Sequence, residues 1–455
     1  MWAHSMRLRR RLVLAPLALV AAIGGSYASG VYAAEAPSAA GEVTHIRMVL
    51  WPGPEGDAMQ VVVDDYNANQ GVEDGVEVEM VLLSRDDTFA REATEISAES
   101  SDIDIYFTAS YNVAQFAVGL ESIADLGVDE ANYFPAAVEG LKVNGELYGL
   151  PLDVSNHFLY YRTDLIDELL ANDEWAATYR EIAGRVIGEE RDPVHPDEWD
   201  TDDYLVAAAF FSEAENPDSP TQYGTALQLR NSPFNITIWN DLLWGVGGSW
   251  TDADGSASLS GPAAERAVEL YNTIYTSGYT SPDSAQWEYP ETNGALQTGS
   301  VAFALQWSAA YAELTDPEAS PEIAENIAVA PVPGDPHSTH VHALAISLNT
   351  HSENKEAART WMAYLGTPEA MDKYAKAGGI PSMPEVLSAN TDVNPVFGEI
   401  AGHVADYGYS LPIFTGTFPA MSALTETLGA AWVDIADSSD ALETANAELQ
   451  ELLDQ

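Results

Sequence analysis

The sequence of 455 residues contains no cysteine. This absence excludes disulfide bonds and thiolate metal sites, and it also excludes a lipid attached to a cysteine behind a signal peptide. We therefore expect a free protein rather than a tethered surface lipoprotein.

Positive charge is also scarce, with 18 lysines and arginines against 71 aspartates and glutamates and a formal net charge of −53. Because this sign repels phosphate groups, nucleic acid and anionic membranes are disfavoured as partners. Mutual repulsion of the carboxylates weakens when the Debye length falls to about 3 Å at 1 M salt. We predict halophilic adaptation, meaning that the protein works in a highly saline medium. Collection of a cationic ligand is the weaker alternative, since the acidic residues are spread along the whole chain.

Long hydrophobic runs are missing except near the start, where Leu12–Ile23 follows Arg7, Arg9, Arg10 and Arg11. The run is too short and wrongly flanked to span a membrane, and small residues suited to cleavage follow it. We predict a signal peptide over residues 1–34, which is cleaved on export to the periplasm. The arginines fit a twin-arginine or a Sec signal, and an N-terminal anchor is the alternative.

The hydrophobic residues, 46% of the chain, are enough for two cores and hence two domains. Near the start, His45–Leu50, Val76–Leu83 and Ile103–Thr108 have the composition of strands, and Asp57–Asn69 has one apolar face of a helix. This order of strand, helix and strand predicts a parallel α/β sheet.

The segment Ala343–Val386 carries a series of boundary signals. Ala343–Leu348 is a predicted strand, and Ser352 is placed to cap a helix with an apolar stripe. Thr367 is placed to cap a second helix, which Gly378–Gly379 end.

Three further segments precede it, Gly149–Leu165 (GLPLDVSNHFLYYRTDL), Gly299–Trp307 (GSVAFALQW) and Pro331–Gly334 (PVPG). In this order the segments resemble family 1 of the extracellular solute-binding proteins of ABC importers, which includes maltose- and trehalose-binding proteins. The resemblance covers residues 46–453 and is specific for the family but not for the solute. It implies an α/β, two-lobed periplasmic-binding-protein fold, with a ligand cleft between the lobes and a hinge of two or three crossover segments. The implied limits are 41–153 and 342–389 for lobe one, and 154–341 and 390–455 for lobe two.

The resemblance also implies a function without catalysis or cofactor. A monomer would capture a carbohydrate (an oligosaccharide, an α-glucoside or a glycosidic osmolyte) and deliver it to integral-membrane ABC permease subunits. One alternative is a binding protein for a cationic solute, either a polyamine or a metal. Another is a secreted carbohydrate-active enzyme, with Asp102 and Asp104, or Glu55 and Asp153, as paired carboxylates. Such pairs arise by chance in so acidic a chain, so we predict that the protein is not an enzyme.

The 11 tryptophans and 21 tyrosines offer aromatic faces for stacking on sugar rings, and carboxylates and amides can bond the hydroxyls. Trp307 is the strongest single candidate, because the turn after VAFALQ lines the cleft in the family. By position in the resemblance, the candidate ligand-binding residues are Trp51, Glu55, Ser110, Tyr111, Asn112, Asp153, Trp239, Trp244, Trp307, His342 and Phe414, with Phe418 as an alternative to Phe414.

His337, His340 and His342 form the one cluster that resembles a metal site. On a strand, His340 and His342 would point the same way, as two ligands of zinc or copper do, but no third ligand is identifiable. Contact with the solute and an ordinary place near the hinge are the alternatives. We predict no metal.

Overall fold

A computed structural model describes residues 43–455, so the predicted signal peptide lies outside the described residues. In this part the strands are β1 (Thr44–Leu50), β2 (Val76–Leu82), β3 (Ile105–Ala109), β4 (Lys142–Val143), β5 (Glu146–Leu147), β6 (Leu150–Ser155), β7 (His157–Arg162), β8 (Tyr223–Ala226), β9 (Val301–Trp307), β10 (Ile327–Ala330), β11 (Thr339–His340), β12 (His342–Leu348) and β13 (Gly408–Tyr409).

The helices are α1 (Pro54–Ala68), α2 (Gln70–Asp74), α3 (Arg85–Ser97), α4 (Val113–Phe116), α5 (Pro135–Glu139), α6 (Thr163–Ala171), α7 (Asp173–Val186), α8 (Thr201–Phe210), α9 (Asn235–Gly245), α10 (Pro262–Thr276), α11 (Tyr289–Gln297), α12 (Tyr311–Leu314), α13 (Lys355–Leu365), α14 (Pro368–Lys376), α15 (Pro384–Ala389), α16 (Val396–Tyr407), α17 (Thr417–Trp432) and α18 (Ser438–Leu453). Among residues 43–455, no helix has the length and apolar character needed to cross a membrane.

The first sheet has five strands in the order β2-β1-β3-β12-β6. Strand β1 is parallel to β2 and β3, whereas β12 is antiparallel to β3 and β6. Strand β3 is buried along its whole length, and the edge strand β2 alternates buried Val76 and Val78 with exposed Glu77 and Glu79. The predicted parallel unit of β1, α1 and β2 is confirmed.

The second sheet has four strands in the order β10-β7-β9-β8. Strand β7 is antiparallel to β9 and β10, and β8 is parallel to β9. Strand β9 is buried from Val301 to Gln306, and only Trp307, its last residue, is partly exposed. Strand β9 therefore ends in a large aromatic side chain.

At two single residues, which we call the passages, the chain leaves or enters the first sheet. Asn156 separates β6 of the first sheet from β7 of the second, and Val341 separates β12 of the first sheet from β11, which pairs with β13 in a separate two-stranded sheet. The two passages lie side by side, since the Thr339 hydroxyl donates to the His157 carbonyl and accepts from the His157 backbone N–H, both at 2.9 Å. Two of the lobe limits expected from the sequence, 153/154 and 341/342, fall near these passages, and the third, 389/390, falls at the end of α15. We retain all three as a proposal.

One predicted cap is wrong. The Ser352 hydroxyl does not cap α13, because this helix begins at Lys355 and Asn354 occupies the N-cap position. The hydroxyl instead donates to the buried carboxylate of Asp104 at 2.5 Å and accepts from the Asn354 backbone N–H at 3.0 Å. The cap of α14 is confirmed, with the Thr367 hydroxyl accepting from the backbone N–H of Ala370 at 3.3 Å. Trp361 of α13 is fully buried against the ring of Tyr66, with the ring centroids 4.8 Å apart, so this helix serves packing.

Candidate functional site

A cavity of about 380 Å³ lies where the two sheets approach each other, and residues of both line it. We call the residues from α1, β6 and β12 the first wall: Glu55, Ser155, His342 and Leu344. We call the others the second wall: Gln228, Ser232, Phe234, Asn235, Glu288, Tyr289, Pro290, Trp307 and Ala309.

Trp307 is the largest aromatic side chain in the lining of the cavity. Its ring packs edge-on against His157, with centroids 4.0 Å apart, and stands at 89° to the ring of His342, 5.7 Å away. Its backbone N–H donates to the side-chain oxygen of Gln306 at 3.0 Å. Because neighbours hold both its ring and its backbone, Trp307 offers a preset apolar surface to a bound molecule.

Glu55 contributes a carboxylate to the first wall from the first turn of α1. Gly53 precedes this helix with a φ of 130°, a conformation that L-residues with a side chain rarely adopt. The backbone N–H groups at the start of a helix favour an acidic side chain, and Glu55 lies in this first turn. Among the side chains that the structure describes, Glu55 forms no ion pair with a cationic group.

Glu288 supplies the second carboxylate of the lining. It accepts a hydrogen bond from the Arg230 guanidinium at 3.0 Å and caps α11. Arg230 thus compensates the charge of Glu288.

Asp153 is not in the lining, contrary to the sequence-based expectation. It is buried beside Leu344, and one carboxyl oxygen accepts from the Tyr374 hydroxyl and the Ile380 backbone N–H, both at 2.8 Å. Burial raises the pKa of Asp153 well above its usual range, and the charge of Glu55 adds to this effect. Asp153 therefore fastens α14 and the following loop to β6.

Three predicted residues lie behind the first wall. Trp51 is 3% exposed and packs edge-on against Phe107. Ser110 and Asn112 are also buried, and the Asn112 side-chain oxygen accepts from the Ala109 backbone N–H at 2.8 Å. None of the three lines the cavity, because each packs into the interior around β3.

Tyr111 also lies one layer behind the lining. Its ring contacts the lining residues His342 and Phe234, at centroid distances of 5.0 and 5.6 Å, and the ring of Phe418 at 5.5 Å. Tyr111 therefore supports two side chains of the cavity from behind.

The remaining predicted aromatic residues lie elsewhere. Trp239 has no exposed surface: its indole N–H donates to the Ala267 carbonyl at 3.1 Å, and its ring packs 5.9 Å from that of Trp432. A ring without an exposed face cannot stack on a ligand, so Trp239 belongs to the core. Trp244 packs on Tyr409 at 5.3 Å, and Phe414 is half-buried near the start of α17. Neither contributes to the lining.

The histidines of the predicted cluster have three different surroundings. His342 lines the cavity, whereas His340 is buried and its ring lies 6.3 Å from that of His342, at an angle of 76°. The ring nitrogens of His337 face the carbonyl oxygens of Val332 and Asp197, at 3.0 and 3.1 Å. In the part of the chain that the structure describes, no three histidine, aspartate or glutamate side chains are placed to hold a metal ion.

A buried carboxyl joins the two passages. One oxygen of Asp241 in α9 accepts from the His340 backbone N–H at 2.7 Å, and the other lies 2.6 Å from Nδ1 of His157. Burial lowers the pKa of His157 to about 3 and raises that of Asp241 well above its usual range. Asp241 also accepts from the Ser338 hydroxyl through its backbone carbonyl, at 2.8 Å.

Sequence reasoning missed most of the second wall, including Gln228, Asn235 and Tyr289. Gln228 lies just beyond the end of β8, and Asn235 and Tyr289 begin α9 and α11. Polar residues that directly follow a strand or begin a helix were the available signal, but such positions are frequent in any α/β chain.

A family model described as bacterial extracellular solute-binding protein matches residues 62–395. The chain belongs to this family. The predicted family is thereby confirmed at this level, and so is its role as a solute-binding component of ABC transport.

Two curated relatives are similar over most of the chain. A probable amino-acid ABC transporter periplasmic-binding protein of Sinorhizobium fredii is 21% identical over 420 residues, 88% of each chain. A mannitol-binding protein of Pseudomonas aeruginosa is 23% identical over 325 residues, 70% of this chain and 68% of the relative. Both are named as transport or binding proteins rather than enzymes.

A solved structure of a maltose-bound protein of T. maritima has a TM-score of 0.72 and 21% identity, and the match covers 90% of this chain and 99% of that one. At this identity the likeness shows the fold alone. It confirms the predicted two-lobed periplasmic-binding-protein fold.

Proposed function

We propose that this solute-binding protein captures a neutral carbohydrate or polyol in the cavity between its two walls and delivers it to a membrane permease. The observation that carries the proposal is the meeting of the Trp307 ring with the carboxylate of Glu55 and the amides of Gln228 and Asn235. An aromatic face suits the C–H surface of a sugar, and carboxylate and amide oxygens accept hydrogen bonds from its hydroxyls.

The size of the cavity favours a small solute. Its volume of about 380 Å³ is near the lower end of the roughly 300–1,000 Å³ that ligand pockets occupy. A monosaccharide, a disaccharide or a linear polyol fits this volume better than a long oligosaccharide. The names of two similar proteins, one bound to maltose and one a mannitol-binding protein, support the same class.

The mechanism is a hinge closure at the two passages. Glu55 and His342 belong to one wall and Trp307 and Gln228 to the other, so a ligand that contacts all four stabilises the closed form by its differential contacts. The closed form then docks on the permease, whose energy comes from a separate ATPase. The chain catalyses no reaction, and we place the exported protein in the periplasm of a cell that lives in high salt.

A cationic amine is a second candidate, and Glu55 favours it. An ammonium group could pair with this carboxylate and lie against the neighbouring aromatic rings, which attract cations. The neutral solute remains preferred, because most of the lining is uncharged.

Thermal unfolding in molar salt separates the candidates. We expect maltose, trehalose or mannitol to raise Tm, since a ligand at 100 times its Kd stabilises the folded state by about 2.7 kcal/mol. Spermidine and putrescine are the competing probes, and chelator addition tests a metal. A shift with the amines and none with any carbohydrate or polyol would overturn the proposal, and release of a hydrolysis product would support the enzyme instead.

A further inference from the structure

Two carboxamide side chains, Gln228 and Asn235, line the cavity, and both are almost fully buried. A carboxamide can turn either its oxygen or its nitrogen towards a ligand, and the two orientations select opposite partners. The surroundings of each side chain decide between them.

Gln306, directly behind Gln228, is oriented by the backbone. Its Oε1 accepts from the Trp307 backbone N–H at 3.0 Å, and its Nε2 donates to the Tyr289 carbonyl at 3.0 Å. A backbone N–H can only donate and a backbone carbonyl can only accept. Turning this fully buried amide around would set donor against donor and acceptor against acceptor, so its orientation is fixed.

The side-chain amide of Asn293, which lies between Gln306 and Glu313, is oriented in agreement with Gln306. Gln306 Nε2 also donates to Oδ1 of Asn293 at 2.8 Å, and Asn293 Nδ2 donates to the carboxylate of Glu313 at 2.7 Å. A carboxylate can only accept hydrogen bonds, so the atom of Asn293 that faces Glu313 must be its nitrogen. The oxygen of Asn293 then faces Gln306, which agrees with the orientation that the backbone fixes for Gln306. Asn293 thus reinforces the orientation of Gln306.

The orientation of Gln228 follows. Its Nε2 donates to Oε1 of Gln306 at 3.0 Å, and an oxygen in that place would face another oxygen. Asn235 is held similarly, because its Nδ2 donates to the carbonyls of Arg230 and Trp287, at 2.9 and 3.3 Å. In the described backbone and side chains, no group donates a hydrogen bond to the side-chain oxygens of Gln228 and Asn235.

We propose that Gln228 and Asn235 select the solute by presenting only hydrogen-bond acceptors to it, in an orientation set by backbone groups before binding. This inference rests on the proposed function and narrows it. With the carboxylate of Glu55, three acceptors that accept no hydrogen bond from the described side chains line one cavity, so the solute must bring hydroxyl hydrogens to them. Ethers, fluorinated analogues and anions lack the donors that these positions need.

A joint neutron and X-ray structure of the deuterium-exchanged full chain, without added ligand, tests the orientation directly. We expect two deuterium atoms on the terminal atom of Gln228 that faces Gln306, and two on the terminal atom of Asn235 that faces Arg230. Deuterium on the atoms that face the cavity would overturn the proposal, whatever solute the protein takes.

Binding of substituted sugars tests the selection. The parent probes are maltose and mannitol, and each hydroxyl is replaced in turn by fluorine or O-methyl, which cannot donate. At the hydroxyl that meets Gln228 we expect roughly 10- to 100-fold weaker binding of both analogues. The variant Gln228→Met should weaken the parent and remove this discrimination at that one position. Equal binding of parent and analogues at every position of a bound sugar would overturn the selection.

Gln297→Met is the matched control. Gln297 also donates to Glu313, at 3.1 Å, but it does not line the cavity, so this variant should keep the wild-type preference. If neither parent sugar binds the wild-type protein, the proposed function fails for these solutes, while the neutron structure still decides the orientation of the amides.

Discussion

The two walls of the cavity are supported by different kinds of polar group. Behind the first wall lies Asp153, a buried carboxyl whose pKa is raised by burial and by the charge of Glu55. Behind the second wall lie Gln306 and Asn293, neutral amides with their hydrogen bonds directed by backbone groups and a carboxylate. Asp153 behind the first wall can change its protonation state, whereas the amides of Gln306 and Asn293 behind the second wall do not titrate.

The difference separates two tasks that a binding cavity must perform. The second wall has fixed donors, acceptors and ring positions, so it suits the recognition of shape and of hydroxyl direction. The first wall contributes a charge at a helix start and two residues of β12 next to a passage. The first wall therefore suits attraction of the ligand and adjustment during hinge closure. The following experiments test this division, from the largest expected effect to the smallest.

Asp241→Ala should have the largest effect, because Asp241 holds together the passages that connect the two walls. The change leaves the buried His340 backbone N–H and the ring nitrogen of His157 without their partner. At about 1–3 kcal/mol for each unsatisfied group, we expect the free energy of unfolding to fall by about 2–4 kcal/mol. Urea denaturation measures it. Asp241→Asn, which keeps an acceptor for the His340 backbone N–H, is the control and should lose less free energy of unfolding. Equal losses in the two variants would contradict the role of Asp241 as a hydrogen-bond acceptor for this group.

Trp307→Ala should have the largest effect on binding and tests the second wall. Removing a central aromatic ring of a binding site typically costs 2 kcal/mol or more, so we expect carbohydrate affinity to fall by roughly 30-fold or more. Isothermal titration with the sugar that raises Tm measures the change. Trp175→Ala is the matched control, since Trp175 is partly buried against Phe210 and is not in the lining. Unchanged affinity in Trp307→Ala would remove the second wall from the binding site.

Glu55→Gln tests the first wall. A hydrogen bond to a charged acceptor contributes about 1.5–3 kcal/mol and one to a neutral acceptor about 1 kcal/mol, so a neutral sugar should bind roughly tenfold more weakly. A cationic amine would lose considerably more, because its ion pair is removed. Asp57→Asn, in the same first turn of α1 but outside the lining, is the control. A loss that disappears in high salt would point to long-range attraction instead of a direct contact.

The sequence was sufficient for the overall fold because the fold depends on local and periodic signals. Strand-like composition marked β1 and β2, and Thr367 with its following proline marked the start of α14. The apolar stripe after Ser352 marked α13, and Trp361 of this helix is fully buried.

The cavity was predicted less well, since its lining depends on distant pairings. Glu55, Trp307 and His342 of the expected residues line it. Trp239 does not, because its indole bonds to Ala267 on another helix, and no local pattern contains that information. Gln228 and Asn235 were missed for the same reason: their role comes from the neighbours that orient them, which are far away in sequence.

Asp153→Asn should have the smallest effect and tests the titratable support of the first wall. A buried acid with a raised pKa stays protonated in the folded state while the unfolded chain ionises near its usual pKa of about 3.9. The stability it contributes is therefore present at low pH and is lost as the pH rises towards its folded pKa. Between pH 5 and 7, we expect the free energy of unfolding of the variant to fall less steeply with pH than that of the wild type, because the variant lacks this titrating group. Comparison with the wild type removes the opposing titration of His157, whose pKa is lowered to about 3.

Asp406→Asn, at an exposed position, is the control and should follow the wild type. An equally steep fall in Asp153→Asn would mean that the first wall is as insensitive to protonation as the second.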